Sequence, residues 1–331
     1  MKDLKVWYEP CSRGARMRRL MIVSVLVTAS FGLEANTAQA PVSQPGPVAT
    51  FKSSVDLVRI NAVVRDKKGR FAVDLTAKDF EVVDGGVPRP ITDFRRDEAT
   101  LSVALLFDVS GSMEARMVEA REAATHVLSW MNVAGDEAAV FTFDTRLDQV
   151  AEFQGGLQKL PPKLSSVKPY GATSLHDAIA RTAERVAGRD ALRRAVVVFT
   201  DGIDTASRLT PSEVSGIASS IDVPVYIMGI VAGIDNPNAD ISTTSVERSA
   251  LTGSLSNLAY WTGGETFVVS TISERSLTAR QLVDELRHQY LIAFESSNTP
   301  GWHPLVVRMR NKDLTVRARS GYIAGQSRPT S

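Results

Sequence analysis

Five short, largely apolar runs, at 101–107, 138–143, 195–199, 225–230 and 266–269, are separated by stretches of helical length and pattern. Within the first, Val103–Phe107 is apolar at every position, not at alternate ones, which suits a strand covered on both faces. The intervening stretches 113–131, 174–187, 211–220 and roughly 246–262 read as helices. Thr210-Pro211-Ser212-Glu213 is a strong helix start, with a threonine cap and proline at the first helical position. Strand and helix alternating at this spacing predict an α/β fold with a doubly wound, mostly parallel sheet.

The flanks have a different period. Val58, Ile60, Ala62 and Val64 alternate with polar residues, as in a half-buried strand. Asp66-Lys67-Lys68-Gly69 reads as a turn before a returning segment at 71–75. The run 80–83, the turn Asp84-Gly85-Gly86 and the run 91–94 read as a second hairpin. After a further helix at about 276–289, short strands are predicted at 290–294, 304–310 and 314–318. Each flank alone is too small for a stable core, so the expectation is one small antiparallel β-sandwich formed by both, with the α/β domain inserted. Two separate β appendages are the alternative. The predicted domains are therefore 54–98 (N-terminal β unit), 99–289 (α/β), 290–324 (C-terminal strands) and a tail at 325–331.

Residues 1–40 read as a secretory signal, with Met17 as an alternative start. Arg16, Arg18 and Arg19 precede an apolar segment at 20–33, and Ala38-Gln39-Ala40 is a small-x-small cleavage site. Residues 41–53 form a linker, rich in proline at its start. The expected location is periplasmic or extracellular, with membrane contact only through an uncleaved leader. The single cysteine, Cys11, lies in that leader, so the remaining chain has no disulfide, thiolate metal site or cysteine nucleophile. The leader carries six cationic and three acidic residues, so removing it turns a net charge of +1 into −2. A mildly acidic body argues against nucleic acid as a partner.

Three segments carry the chemistry. Asp108-Val109-Ser110-Gly111-Ser112 ends the first buried run, placing one carboxylate and two hydroxyls at the strand's carboxyl end. Thr200-Asp201-Gly202 ends another such run, and Gly171-Ala172-Thr173-Ser174 opens a helix. In open α/β sheets, ligands bind at this edge, where the three loops can converge. Hard oxygen donors suit a hard divalent cation such as Mg²⁺. Considered singly, the same residues are ordinary helix caps.

In order and spacing the three segments resemble the von Willebrand factor type A domain and its metal-ion-dependent adhesion site, over residues 99–289. The flanking Asp79–Gly85 segment and Arg319-Ser320-Gly321-Tyr322 resemble a bacterial subgroup of that superfamily. The resemblance implies that Ser110, Ser112 and Thr173 ligate the metal directly, and that Asp108 and Asp201 do so directly or through water. It implies Mg²⁺, with Mn²⁺ or Ca²⁺ as alternatives, and a protein partner supplying Glu or Asp to an open coordination position. The function expected is metal-dependent binding, not catalysis. Alternatives are a structural envelope protein with a merely stabilising metal, or a metal-dependent hydrolase.

Other polar residues are weaker candidates. Asp144, Asp148 and Asp204 read as loop or turn carboxylates near the site, and Lys168 and Tyr170 as shapers of a partner surface. The segment 235–240 lacks the spacing of a twelve-residue calcium loop. His126, His176, His288 and His303 have no metal-binding spacing, although His176 lies close in sequence to Thr173. Phosphate-loop, dinucleotide, zinc-protease and nucleophile-elbow motifs are absent from the sequence.

Overall fold

The computed structural model describes residues 57–96, 99–191, 193–231, 241–297 and 299–325, with the side chains of 241–244 left aside. The predicted leader, the linker and the 235–240 segment lie outside the described residues.

The N-terminal flank supplies β1 (Leu57–Asp66), β2 (Phe80–Asp84), β3 (Val87–Arg89) and β4 (Ile91–Arg95). The C-terminal flank supplies β11 (Tyr290–Glu295), β12 (Gly301–Met309), β13 (Leu314–Arg317) and β14 (Gly321–Ala324). They interleave in two four-stranded sheets, ordered β13-β1-β11-β4 and β14-β12-β2-β3. Every pairing between the flanks is antiparallel, so the small sandwich is built by both ends together. Val58, Ile60, Ala62 and Val64, the alternating face of β1, meet Phe80, Val82, Tyr290, Ile292, Phe294 and Leu305 in one core.

Two local expectations need correction. The segment 71–75 does not return as a strand; it makes one isolated bridge, Arg65 to Phe71. Its backbone instead meets the Tyr290 hydroxyl, which donates to the Val73 carbonyl at 2.7 Å. The second hairpin is β2 with β3, whereas β4 leaves to pair with β11 in the other sheet. The Asp84-Gly85-Gly86 turn was legible, but β4's pairing is long-range, and local pattern does not carry it.

Between the flanks, β5 (Leu101–Asp108), β6 (Glu137–Phe143), β7 (Leu147–Gly155), β8 (Arg193–Thr200), β9 (Val225–Ile230) and β10 (Thr266–Val269) form a sheet ordered β10-β9-β8-β5-β6-β7. All neighbours are parallel except β7, an antiparallel edge strand not foreseen from sequence. Its residues are mostly half-buried, so it lacks the continuous apolar signature of its neighbours.

The helices are α1 (Met117–Trp130), the short α2 (Pro162–Ser166), α3 (Leu175–Ala187), α4 (Pro211–Ser220), α5 (Ile241–Thr252), α6 (Ser254–Trp261) and α7 (Ile272–Arg287). Val103, Leu105 and Phe107 of β5 face α1 and α7, while Ala104 and Leu106 face α3, α4 and α6. This is the two-sided burial that an unbroken apolar strand implies. The predicted 113–131 helix opens as a 3-10 turn, Gly111–Arg116. The predicted 246–262 helix is two, parted at Gly253.

A buried ionic cluster joins the sandwich to the α/β layers. Glu285 of α7 is fully buried and takes Arg65 of β1 at 2.7 Å, Arg317 of β13, and the hydroxyl of Tyr226 on β9 at 2.8 Å. Arg317 also holds Glu265 at 2.6 Å. Burial first of all pushes the Tyr226 hydroxyl up to about 12, so it stays protonated as a donor. Among the described residues, no helix is long and apolar enough to cross a membrane.

Candidate metal centre

The strands β5 and β8 lie side by side, and the chain leaves them toward opposite halves of the sheet. Their carboxyl ends therefore flank the crevice at the topological switch point, where α/β sheets bind ligands. Asp108 ends β5, and Asp201 follows β8; both are buried.

Backbone hydrogen bonds bring the three sequence segments together. Tyr170 N–H donates to the Val109 carbonyl at 2.9 Å, and Gly111 N–H to the Gly171 carbonyl at 3.2 Å. These join the Asp108 loop to the Thr173 loop. Thr205 and Ala206 N–H both donate to the Thr173 carbonyl, at 3.0 and 2.9 Å, and Thr173 N–H donates to the Thr205 hydroxyl at 2.9 Å. These join the Thr173 loop to the Asp201 loop. Within the first loop, the Ser110 and Ser112 hydroxyl oxygens are 3.2 Å apart. Ser110 and Thr173 are buried, while Ser112 is exposed at the mouth.

Asp108 is fixed on both carboxylate oxygens. Oδ1 accepts the Ser110 N–H at 2.9 Å, and Oδ2 accepts the Thr200 hydroxyl at 2.7 Å. Burial is the largest influence on it and, with the charge of Asp201 adding, pushes its carboxyl up to about 7 despite hydrogen bonds from Ser110 and Thr200. Asp201 Oδ1 accepts the Ile203 N–H at 3.2 Å, whereas Oδ2 is buried with no hydrogen-bond partner and faces the Arg116 guanidinium across 3.7 Å. A buried carboxylate oxygen without a donor is costly unless a cation meets it. The Asp108 and Asp201 carboxylates and three hydroxyls are hard oxygen donors of the kind Mg²⁺, Mn²⁺ and Ca²⁺ take. The five residues fit a divalent ion by chemistry. Among the described residues, no group of three or more His, Cys, Asp or Glu converges, so hydroxyls must supply much of any such shell.

Gly202 shapes the second loop. Its φ is +90°, and a Cβ there would lie 2.8 Å from the Leu251 side chain. Only glycine allows both this backbone and that approach.

Three contributors escaped the sequence reading. Thr200 looks like the last residue of a strand, yet it bridges Asp108 and the Gly202 N–H, which donates to its hydroxyl at 3.0 Å. Arg116 closes the 3-10 turn, with Nη1 3.7 Å from Asp201 Oδ2 and Nη2 donating to Glu247 Oε1 at 2.7 Å. Glu247 is buried on α5, far away in sequence. Only the adjacency of Thr200 to Asp201 was a local signal.

The weaker candidates have defined places. Asp144 caps its own turn, accepting the Arg146 N–H at 2.7 Å, and Asp148 lies on the edge strand β7 opposite Thr142. Asp204 pairs with His176 at 3.1 Å and accepts the His176 backbone N–H. Tyr170 is 81% exposed beside the Thr173 loop. His288 stacks on Phe71, and His303 meets Asp84 within the sandwich at 2.9 Å.

Residues 103–203 match the von Willebrand factor type A domain family, and that stretch holds all five proposed ligands. The match spans just under a third of the 331 residues. No curated protein matches the chain. Among solved structures, the chain is similar to an aerotolerance-related membrane protein of Bacteroides fragilis NCTC 9343 bearing multiple mutations to serines. That likeness has 18% identity and a TM-score of 0.44, over 56% of this chain and 98% of the other. It is also similar to a von Willebrand factor type A protein of Catenulispora acidiphila, at 12% identity and TM-score 0.41, over 82% of this chain and 75% of that one. A third likeness is to the pilus adhesin SpaC of Lactobacillus rhamnosus GG in its open conformation. There the identity is 9% and the TM-score 0.43, over 78% of this chain and 47% of that one.

Proposed function

We propose that this protein is an exported binding module that holds a divalent cation, Mg²⁺ foremost, and captures a carboxylate of a protein partner on it. The observation that carries this reading is the junction of the Asp108, Thr173 and Asp201 loops at one sheet edge, with Asp201 Oδ2 buried and lacking a hydrogen-bond donor. Asp108, Ser110, Ser112, Thr173 and Asp201 would hold the ion. When bound, the ion supplies an electrophilic position open to an incoming Glu or Asp. Asp108 and Asp201 leave it roughly neutralised, and Ser112 lies at the solvent-facing mouth where a partner would arrive.

Binding is favoured over hydrolysis because catalysis by a metal-bound water needs a positioned base. The three ligand segments themselves, 108–112, 171–174 and 200–202, contain no His or Glu to serve as that base. Export rests on the signal-like leader at 1–40.

The test is calorimetric titration of the chain without its leader with Mg²⁺ and Mn²⁺, followed by capture from envelope extract with Mg²⁺ or chelator. Saturable cation binding and chelator-sensitive capture, both lost in Asp108→Ala, are expected. Cation binding without metal-dependent capture would instead favour a structural role. Metal-dependent turnover of phosphoester or peptide panels would favour a hydrolase. No cation binding, or capture unchanged in Asp108→Ala, would overturn the reading.

A further inference from the structure

Arg116 occupies an unusual position for a site expected to bind a dication. It belongs to the same loop as Ser110 and Ser112, and its Nη1 donates to the Ser112 carbonyl at 2.9 Å. That same nitrogen stands 3.7 Å from the buried Asp201 Oδ2. On its other side, Nη2 is clamped by Glu247 Oε1 at 2.7 Å. The Arg116 side chain is largely shielded, and Glu247 is buried. Arg116 Nε, Glu247 Oε2 and Asp201 Oδ2 are all buried without hydrogen-bond partners. Such a set is not a settled structural ion pair, since three of its polar atoms are unsatisfied.

The charges sum simply. Asp108, Asp201 and Glu247 are three carboxylates and Arg116 is one cation, a balance of −2 when all are ionised. That balance matches one divalent ion. The guanidinium, however, stands against the same carboxylate that the ion would use.

We infer that Arg116, clamped by Glu247, is a built-in competitor for Asp201 and sets the site's affinity for divalent cations. The inference rests on the reading that this site takes such an ion. Arg116 is a positioning and tuning residue, not a ligand. Its positive charge opposes entry of a dication, and Glu247 draws that charge toward α5 and away from Asp201. Losing Arg116 therefore strengthens cation binding, and losing Glu247 weakens it, because Arg116 then bears on Asp201 with its full charge.

The test uses the chain without its leader and Mn²⁺ alone, followed by the electron paramagnetic resonance of free Mn²⁺, with Mg²⁺ calorimetry alongside. Arg116→Gln should bind about tenfold tighter than wild type and Glu247→Gln several-fold weaker, while Arg116→Lys stays close to wild type. The opposite signs are the discriminating readout, since general damage to the loop weakens binding in both variants. The double variant should bind tighter than Glu247→Gln alone. Equal or weaker binding by folded Arg116→Gln overturns the inference and leaves the metal site standing. If Arg116→Gln does not fold, Glu247→Gln decides, and unchanged affinity there overturns the inference. Absence of Mn²⁺ binding by wild type overturns this inference together with the metal reading.

Discussion

Thr200 donates its hydroxyl to Asp108 across 2.7 Å, from the end of β8 to the end of β5. The same hydroxyl accepts the Gly202 N–H at 3.0 Å, so one side chain orders both strand ends and the loop bearing Asp201. The candidate site is thus pre-arranged by a residue that is not itself a proposed ligand.

Replacing Thr200 by valine keeps the shape and removes the donor. It leaves one buried carboxylate oxygen and one buried N–H short of a partner, at a cost of about 1–3 kcal/mol. Chemical denaturation of the metal-free protein should show this loss, and cation affinity should fall as the Asp201 loop loosens. Unchanged stability would mean that the hydroxyl does not organise the site.

Cation binding should depend on pH near neutrality. The buried Asp108 carboxyl is pushed up to about 7 in the absence of a cation, from 3.8. A raised carboxyl favours the folded state most when protonated. Its contribution is complete below 3.8 and is lost as pH rises through about 7. A dication must displace that proton, so affinity should climb with pH up to about 7, by up to roughly tenfold per unit, and then level. Mn²⁺ titrations from pH 5.5 to 8 check this; a flat profile would show that Asp108 does not titrate with the ion.

Glu285 predicts a stability effect at the seam between the sandwich and the α/β layers. Glu285→Ala removes the partner shared by Arg65, Arg317 and Tyr226. Breaking a buried pair outright costs about 3–5 kcal/mol; here both arginines are half-buried and Arg317 keeps Glu265, so the loss should lie at or below the low end of that range, read as a shift in urea denaturation. A loss below about 1 kcal/mol, the range of surface pairs, would show the cluster to be solvated in solution.

Two glycines should respond in opposite ways. At Gly264 a Cβ would lie 2.0 Å from the Val225 carbonyl oxygen, a backbone atom that cannot yield, so Gly264→Ala should abolish stable folding. At Gly216, inside α4, nothing lies within 4 Å, so Gly216→Ala should gain about 0.4–1 kcal/mol. Thermal melts of the two variants distinguish them directly.

The largely apolar runs and the residues at their ends were enough to specify the parallel sheet, its helical cover and the edge bearing Asp108 and Asp201. Both depend on local pattern: two-sided burial leaves an unbroken apolar strand, and its end is visible as the first polar residue. Tertiary structure alone decided that β4 leaves β3 for β11, that the half-buried β7 closes the sheet edge, and that Arg116 and Glu247 stand against Asp201. Those contacts join residues far apart in sequence, and each residue looks like an ordinary solvated or strand-edge side chain in its own neighbourhood. What makes them matter is burial, and burial is a property of the assembled layers, not of any one segment.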